Sequence, residues 1–452
     1  MFCCHGERMF ENIIAQAATG QLEADVLANR LAPSMLFFGP PASGKGSAAM
    51  ELARALSCET ADAPWNCACP SCARHRSLLH PDLAMLGPRA FAAEIAASRA
   101  AFLRDPAVPA GRSLFIRSLR KLQARFAPAV WEYEPRSGKS NPLSLLQSLE
   151  EELDELTLHL ESETIDKGAL EKITASLAGN AFKLEDEWIS EAVPIAQIRK
   201  AAYWGRLTPA GKRKMLIIEN ADRMKDEARN SLLKLLEEPP SSLCLVLTVQ
   251  RKETVLPTIL SRLRPYRFVT RSADEEREII RRIFRDPEAV AQNAATALVA
   301  SYLGSFAPQP PEKLEPLAAF FVAAVARAAA LAARSTGVAS PVLNTLGSYC
   351  APIAEASGLE RTTEAKETIT VLLSRSGNFE GRSFPRFLAI ALDLVSRSLA
   401  CGGPATIPCR QTWKNRLTQA LAATAVWNQR PELALESLFS RLRDDLALHN
   451  GA

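Results

Sequence analysis

The feature that most constrains this chain is a short apolar run, Met35-Leu36-Phe37-Phe38. It stops at Gly39-Pro40-Pro41-Ala42-Ser43-Gly44-Lys45 and restarts as a helical pattern from Lys45 to Leu56. A buried strand, a glycine-proline loop and a helix in succession turn backbone N–H groups toward an anion. The helix start adds a favourable dipole, and one lysine supplies a point charge to phosphate oxygens. The seven residues match the opening of the phosphate-loop pattern G-x-x-x-x-G-K-[ST]. The eighth position, which supplies a hydroxyl to Mg²⁺, is Gly46, with Ser47 one place later. Gly39, Pro40, Ser43, Gly44, Lys45, Gly46 and Ser47 are therefore candidate nucleotide contacts. ATP or ADP binding is expected, whereas Mg²⁺ placement, and with it hydrolysis, is compromised.

A second α/β stretch supports a parallel sheet. Met215 to Ile218 and Leu243 to Leu247 are short apolar runs of the kind such a sheet buries on both faces, separated by a helical pattern from Lys225 to Glu237. At the end of the first run stand Glu219 and Asn220, where an ATPase places an acidic pair; an amide at the second place cannot take a proton from water. Between the α/β stretches, residues from about 87 to 191 read as a charged helical insert. Phe115, Leu119, Leu122 and Phe126 form the apolar stripe of a basic helix carrying Arg117, Arg120, Lys121 and Arg125. Leu145, Leu149, Leu153, Leu156 and Leu160 form that of an acidic helix, and the two suit an antiparallel hairpin, with PRSGKSNP (135–142) as the turn. After Ser272 no strand pattern recurs: Glu275 to Ala300 reads as helix, APQPPEK (307–313) as a linker, and the remainder as a helical bundle.

Ten cysteines in 452 residues are too few for a disulfide scaffold, yet Cys58, Cys67, Cys69 and Cys72 crowd into one short segment. Four thiolates surround a tetrahedral Zn²⁺ without leaving a position for water, which makes the expected site structural. The single residue between Cys67 and Cys69 is a tight gap, and His75 is near enough in sequence to replace one thiolate. Free thiols around a metal point to a reducing cytoplasm. The beginning of the sequence lacks a basic stretch followed by an apolar core, so no secretory signal is read there. The apolar stretch Leu317–Ala333 carries Arg327 and reads as a buried helix, so no membrane contact is expected. A formal charge of +4 is too small over this length to mark a nucleic-acid coat.

The run Ile198 to Leu263, including ENADRMKDEARNSLLKLLEEPP and TILSRL, resembles bacterial DNA polymerase III clamp-loader subunits of the AAA+ superfamily. Met9–Gln16 (MFENIIAQ), the phosphate loop, the cysteine cluster and His80-Pro81-Asp82 follow in the same order. The resemblance implies an α/β AAA+ P-loop core over residues 1–272, holding a zinc module (58–72) and the long helical insert, then a small helical lid (273–310) and an all-α collar domain (311–452). Two types in that family share the cysteines, a gamma/tau motor that hydrolyses ATP and a delta-prime subunit that does not; the degenerate pair within ENAD resembles the latter. Carried over, Arg262 in Ser261-Arg262-Leu263 is the arginine finger offered to a neighbouring subunit's ATP, although the family's cysteine is here Leu263. Thr248 matches the residue that senses the γ-phosphate, while the arginine expected near the end of the lid is not evident around Gly304. The implied partners are gamma/tau and delta subunits, the sliding clamp and, through the assembly, primed DNA; no intrinsic ATPase is expected. Two alternatives remain open at this point. One is a motor in which Ser47 and Glu219 take over the metal roles. The other is a zinc-stabilised nucleic-acid-binding protein that uses the basic helix.

Overall fold

The computed structural model describes residues 8–133, 140–161, 166–190, 192–292, 298–306, 311–334, 341–376, 379, 383–399, 406–427 and 429–448. The chain divides into two compact units, residues 1–307 and 308–452.

The first unit is built on five parallel strands: β1 (Ser34–Phe38), β2 (Leu83–Leu86), β3 (Lys214–Ile218), β4 (Leu243–Val249) and β5 (Arg264–Arg267), in the order β2-β3-β4-β1-β5. Every residue of β3 and β4 is buried, as near-continuous apolar runs require when helices cover both faces. The two-residue period sorts the side chains. Met35, Phe37, Met215, Ile217, Cys244 and Val246 pack into one helix-covered core, and Leu36, Leu216, Ile218, Leu245 and Leu247 into the other. The chain passes from β1 to β2, then returns to fill the places between them with β3 and β4, so the carboxyl ends of β1, β3 and β4 open onto one crevice. In open α/β sheets, ligands bind at such a crossover.

The insert between β2 and β3 consists of helices Ala92–Arg104, Pro109–Gln123, Pro142–Glu161 and Lys167–Trp188 around its own apolar core, with Phe91, Phe115, Leu149 and Leu177 at its centre. The expected hairpin of basic and acidic helices is not how these helices pair. Helix Pro109–Gln123 packs on Ala92–Arg104, and Pro142–Glu161 on Lys167–Trp188. Gly111 favours the first pairing: a side-chain carbon there would lie 3.2 Å from the Cα of Phe102, tighter than an ordinary contact, and glycine relieves it. The basic and acidic helices meet through Glu150, which accepts from Arg120 and Gln123. Of the anticipated turn, residues 135–139 lie outside the described residues, and Pro142 opens the next helix. The stretch read as one helix from Glu275 to Ala300 is broken: Ala273–Arg282, with a Ser272–Glu275 capping box, is followed by Pro287–Gln292 and Val299–Ser305. Pro287 has no N–H to continue a helix and opens the second one instead.

The second unit holds helices Pro311–Arg334, Pro341–Glu355, Ala365–Ser376, Ser383–Ser398, Ile407–Trp427 and Pro431–Leu448. Of the anticipated linker, residues 307–310 lie outside the described residues, and helix has begun by Pro311. Helix Pro311–Arg334 is apolar all round from Leu317 to Val325 because its neighbours enclose it. Phe321 at its middle meets Phe387, Trp413 and Phe439 edge-on, with ring centroids 5.7, 6.3 and 6.1 Å away. The stretch Leu314–Ala333 is long and apolar enough to cross a membrane by length and composition, yet 72% of its most apolar window is buried inside the unit, as a core helix would be.

Candidate nucleotide site and cysteine cage

The phosphate loop lies at the carboxyl end of β1 and leads into helix Lys45–Ser57. Gly39 has φ +152°, and a side-chain carbon there would fall on the carbonyl oxygen of Phe268, so the turn off the strand requires glycine. Lys45 folds back over the loop: its Nζ donates to the carbonyls of Gly39 (2.7 Å) and Pro40 (2.6 Å) and to Ser43 Oγ (3.2 Å). Burial lowers its pKa to about 8, against the pull of Glu219 and Asp222. An arginine that no sequence motif marks closes the loop from the side. The buried Arg271 donates to the carbonyls of Ile14, Ala42 and Ser43, each at 2.9 Å, and so ties the segment after β5 to the loop.

Glu219, at the end of β3, is 4% exposed. Its Oε1 accepts from Arg89 at 2.7 Å, and its Oε2 is paired with Arg125. Both arginines come from the segment between β2 and β3. Arg89 also pairs with Glu94, which pairs with Lys121, so alternating charges run from the crevice into the insert. Burial by itself raises a carboxyl pKa, but Arg89, Arg125 and Lys121 hold that of Glu219 below the usual range. The same balance, with Arg89 and Lys121 as partners, holds Glu94 at about 2. The carboxylate lies directly over Gly46: a side-chain carbon on that glycine would come 2.5 Å from Glu219 Oε1 and 3.4 Å from Arg89. The position that normally carries a metal-binding hydroxyl is therefore filled by the acidic residue across from it.

Asn220 has φ 50° and ψ 50°, a left-handed conformation that asparagine tolerates better than most residues. Its side-chain amide donates to the Pro88 carbonyl at 2.6 Å, and its N–H donates to Thr248 Oγ1 at 3.2 Å, which brings the ends of β3 and β4 together. Asn220 thus has a structural use beyond the missing base. Ser47 is half-buried, one place further along the helix than the pattern's hydroxyl. Arg262 stands apart from the loop, after the short helix Pro257–Leu260. It donates to the Thr258 carbonyl (2.7 Å) and pairs with Glu237 (2.9 Å), with its side chain 35% exposed.

The four cysteines come together. The Sγ atoms of Cys58, Cys67, Cys69 and Cys72 all lie within 4.8 Å of one another, three of the residues buried and Cys69 half-buried. Cys69 caps helix Pro70–Arg76, accepting from the Cys72 N–H at 3.4 Å, and Pro70 sits at the first helical position where its missing N–H costs nothing. Arg54 donates to Cys72 Sγ at 3.0 Å and pairs with Glu51, which places a cation beside the sulfurs. His75 is not part of this group; its ring stacks on His80 at 4.0 Å. His80-Pro81-Asp82 is a brace: Asp82 accepts from the N–H groups of Ala210 and Gly211, and His80 Nε2 meets Ser71 Oγ at 3.2 Å.

The basic helix does not offer its cations to a polyanion. Lys121 and Arg125 are buried against Glu94 and Glu219, Arg120 is paired with Glu150, and Arg117 donates to the His75 and Arg76 carbonyls at the end of the cysteine-bearing helix. The four side chains that the nucleic-acid-binding alternative relies on are thus engaged by acidic groups of the chain and by a helix end. At Glu219, which the motor alternative needs for a metal role, both oxygens are engaged by arginines.

A family model described as "DNA polymerase III, delta subunit" matches residues 14–132 and 161–272, just over half of the chain. The match takes in the phosphate loop, the cysteine cage, Arg89, Arg125, Glu219 and Arg262. A curated relative, DNA polymerase III subunit delta' of Pseudomonas aeruginosa, is 33% identical over 95 residues, which is 21% of this chain and 29% of the relative. The chain thus aligns with less than a third of that relative's length. Among solved structures, a gamma subunit-related protein of DNA polymerase III from Thermotoga maritima is 18% identical, covering 66% of this chain and 99% of that one at a TM-score of 0.25.

Proposed function

The chain belongs to the DNA polymerase III delta-subunit family, and from that premise we propose that it is a non-motor, delta-prime-like subunit of the clamp loader. In that role it helps place the sliding clamp on primed DNA beside gamma/tau and delta subunits in the cytoplasm. The observation that carries this reading is Glu219, held by Arg89 and Arg125 against a position 46 that has no hydroxyl. Holding a metal requires a free carboxylate, and this one is neutralised from both sides, while Asn220 at the next place cannot take a proton from water. The loop still presents Lys45 and the N-terminus of helix Lys45–Ser57 to an anion, so it is a cradle for nucleotide without the means to split it.

The subunit's chemical contribution would then be made to a neighbour. Arg262 is exposed, and its tie to Glu237 is a single ion pair near the surface, which costs little to exchange for a phosphate. An arginine finger supplied in trans is worth about 10³–10⁵ in rate where it has been dissected. The four thiols within 4.8 Å of one another fit a closed tetrahedral Zn²⁺ site, and Arg54 would offset part of the negative charge of four thiolates. A lid over residues 273–310 and a collar over 311–452 complete the reading.

Reconstitution with gamma/tau- and delta-type subunits tests it. Arg262→Ala is expected to lower clamp-dependent ATP turnover of the assembly by about 10³-fold at the site it serves, while Lys45→Ala leaves turnover unchanged. Steady ATP turnover by the isolated chain, abolished by Lys45→Ala, would refute the assignment, and so would failure to enter the assembly.

A further inference from the structure

Position 46, Asn220 and Glu219 together do not fit a magnesium ion. Mg²⁺ demands near-octahedral oxygen ligands at about 2.0–2.1 Å and keeps only those that are free to turn toward it. Gly46 offers no side-chain oxygen, the Asn220 amide is committed to the Pro88 carbonyl, and both Glu219 oxygens are committed to guanidinium groups. Asp222 retains one buried oxygen, Oδ1, without a hydrogen-bond partner, and a single carboxylate does not make an octahedron.

What stands beside Glu219 instead is positive charge from the chain itself. Arg125 is 2% exposed, and its Nε and Nη1 have no hydrogen-bond partner, so Glu219 is the anion that compensates it. The guanidinium also lies 5.4 Å from the centre of the Phe91 ring, within cation–π range. Arg89 approaches the other carboxylate oxygen and is held in turn by Glu94. Glu94 lies in the first turn of helix Ala92–Arg104, and Arg125 lies within the 3₁₀ turn Ala124–Phe126 that follows helix Pro109–Gln123. Folding the insert and delivering these two cations to the crevice are therefore one event.

We propose that the insert between β2 and β3 is a built-in lock on this site: Arg89 and Arg125 take the place of the divalent cation beside Glu219, so the phosphate loop accepts phosphate-bearing anions without a metal. A gain of Mg²⁺-dependent binding would require the lock to open. The inference rests on the non-motor reading only in sharing its site, and its test uses the isolated chain. Failure to assemble into a loader would leave the lock standing, and failure of the lock would leave Arg262 and the assembly standing.

The experiment compares ATP affinity in millimolar Mg²⁺ and in EDTA, for the full-length chain and for Arg89→Gln/Arg125→Gln. The natural chain is expected to show the same affinity in both conditions within about twofold, whereas the variant gains at least about fivefold from Mg²⁺, roughly 1 kcal/mol. An equal gain in the natural chain, or no gain in the folded variant, overturns the proposal. Should the double variant fail to fold, a thermal-denaturation cycle decides. The lock requires Gly46→Ser to push Glu219 off its arginines, so this substitution lowers Tm less in a Glu219→Ala background than in the natural chain. Equal losses in the two backgrounds overturn it.

Discussion

Glu219→Gln separates a structural carboxylate from a catalytic one. In a working hydrolase the acidic side chain faces a metal or water, and an isosteric amide leaves the fold nearly untouched. Here the carboxylate is 6% exposed at its side chain and balances Arg125 at 2% and Arg89 at 26%. Removing one partner of a buried ion pair leaves an uncompensated charge and costs about 3–5 kcal/mol. Two facts place this case at the lower end of that range. Arg89 keeps Glu94, and the amide oxygen still accepts one hydrogen bond. At about 2–4 °C per kcal/mol for domains of 150–250 residues, a loss of about 3 kcal/mol lowers Tm by roughly 6–12 °C. Differential scanning fluorimetry of the full-length chain reads this directly. Glu150→Gln serves as the control, since that carboxylate pairs with Arg120 while 49% exposed and such pairs are worth only about 0–1 kcal/mol. A Tm shift below about 2 °C for Glu219→Gln, or one equal to the control's, would show that the arginines do not depend on this anion.

Two further outcomes follow from the site. Lys45 has a folded-state pKa of about 8, against about 10.4 for an exposed lysine, so its charge is present below that value and lost as pH rises through it. Affinity for ATP or inorganic phosphate should therefore begin to fall near pH 8, and a flat profile to pH 10 would sink the assignment of Lys45 as the phosphate contact. For the cage, elemental analysis of the purified chain should find one zinc per molecule, Cys72→Ser should lose it, and the variant should be cut by protease within residues 58–76. Full zinc content in Cys72→Ser would remove that residue from the ligand set.

The sequence made the sheet legible because apolar runs buried on both faces leave little choice of structure, and the glycine-proline loop between β1 and the next helix admitted one reading. The cysteine cluster was legible for a related reason: four soft ligands in so short a segment have few other uses. Pairing within the insert was not. The basic and acidic helices have complementary charge, but exposed charge pairs contribute too little to choose partners, and the choice fell to close packing at Gly111 and to the apolar stripes. Arg89, Arg125 and Arg271 escaped notice as site residues for one further reason. Each acts at the crevice across 130, 94 and 228 positions of sequence respectively, and no local pattern encodes a partner at that separation. Arg125 did appear among the charges of the basic helix, where amphipathicity suggested solvent or nucleic acid. A cation on a helix is a surface group only if no buried anion claims it. The sequence did show Gly46 where a metal-binding hydroxyl is expected and Glu219 at the end of a strand, and the structure places the two face to face. A buried carboxylate deprived of its cation must be neutralised or shifted in pKa. The loss of the metal ligand is therefore itself the signal that compensating arginines have to arrive from elsewhere in the chain, and the insert is where they come from.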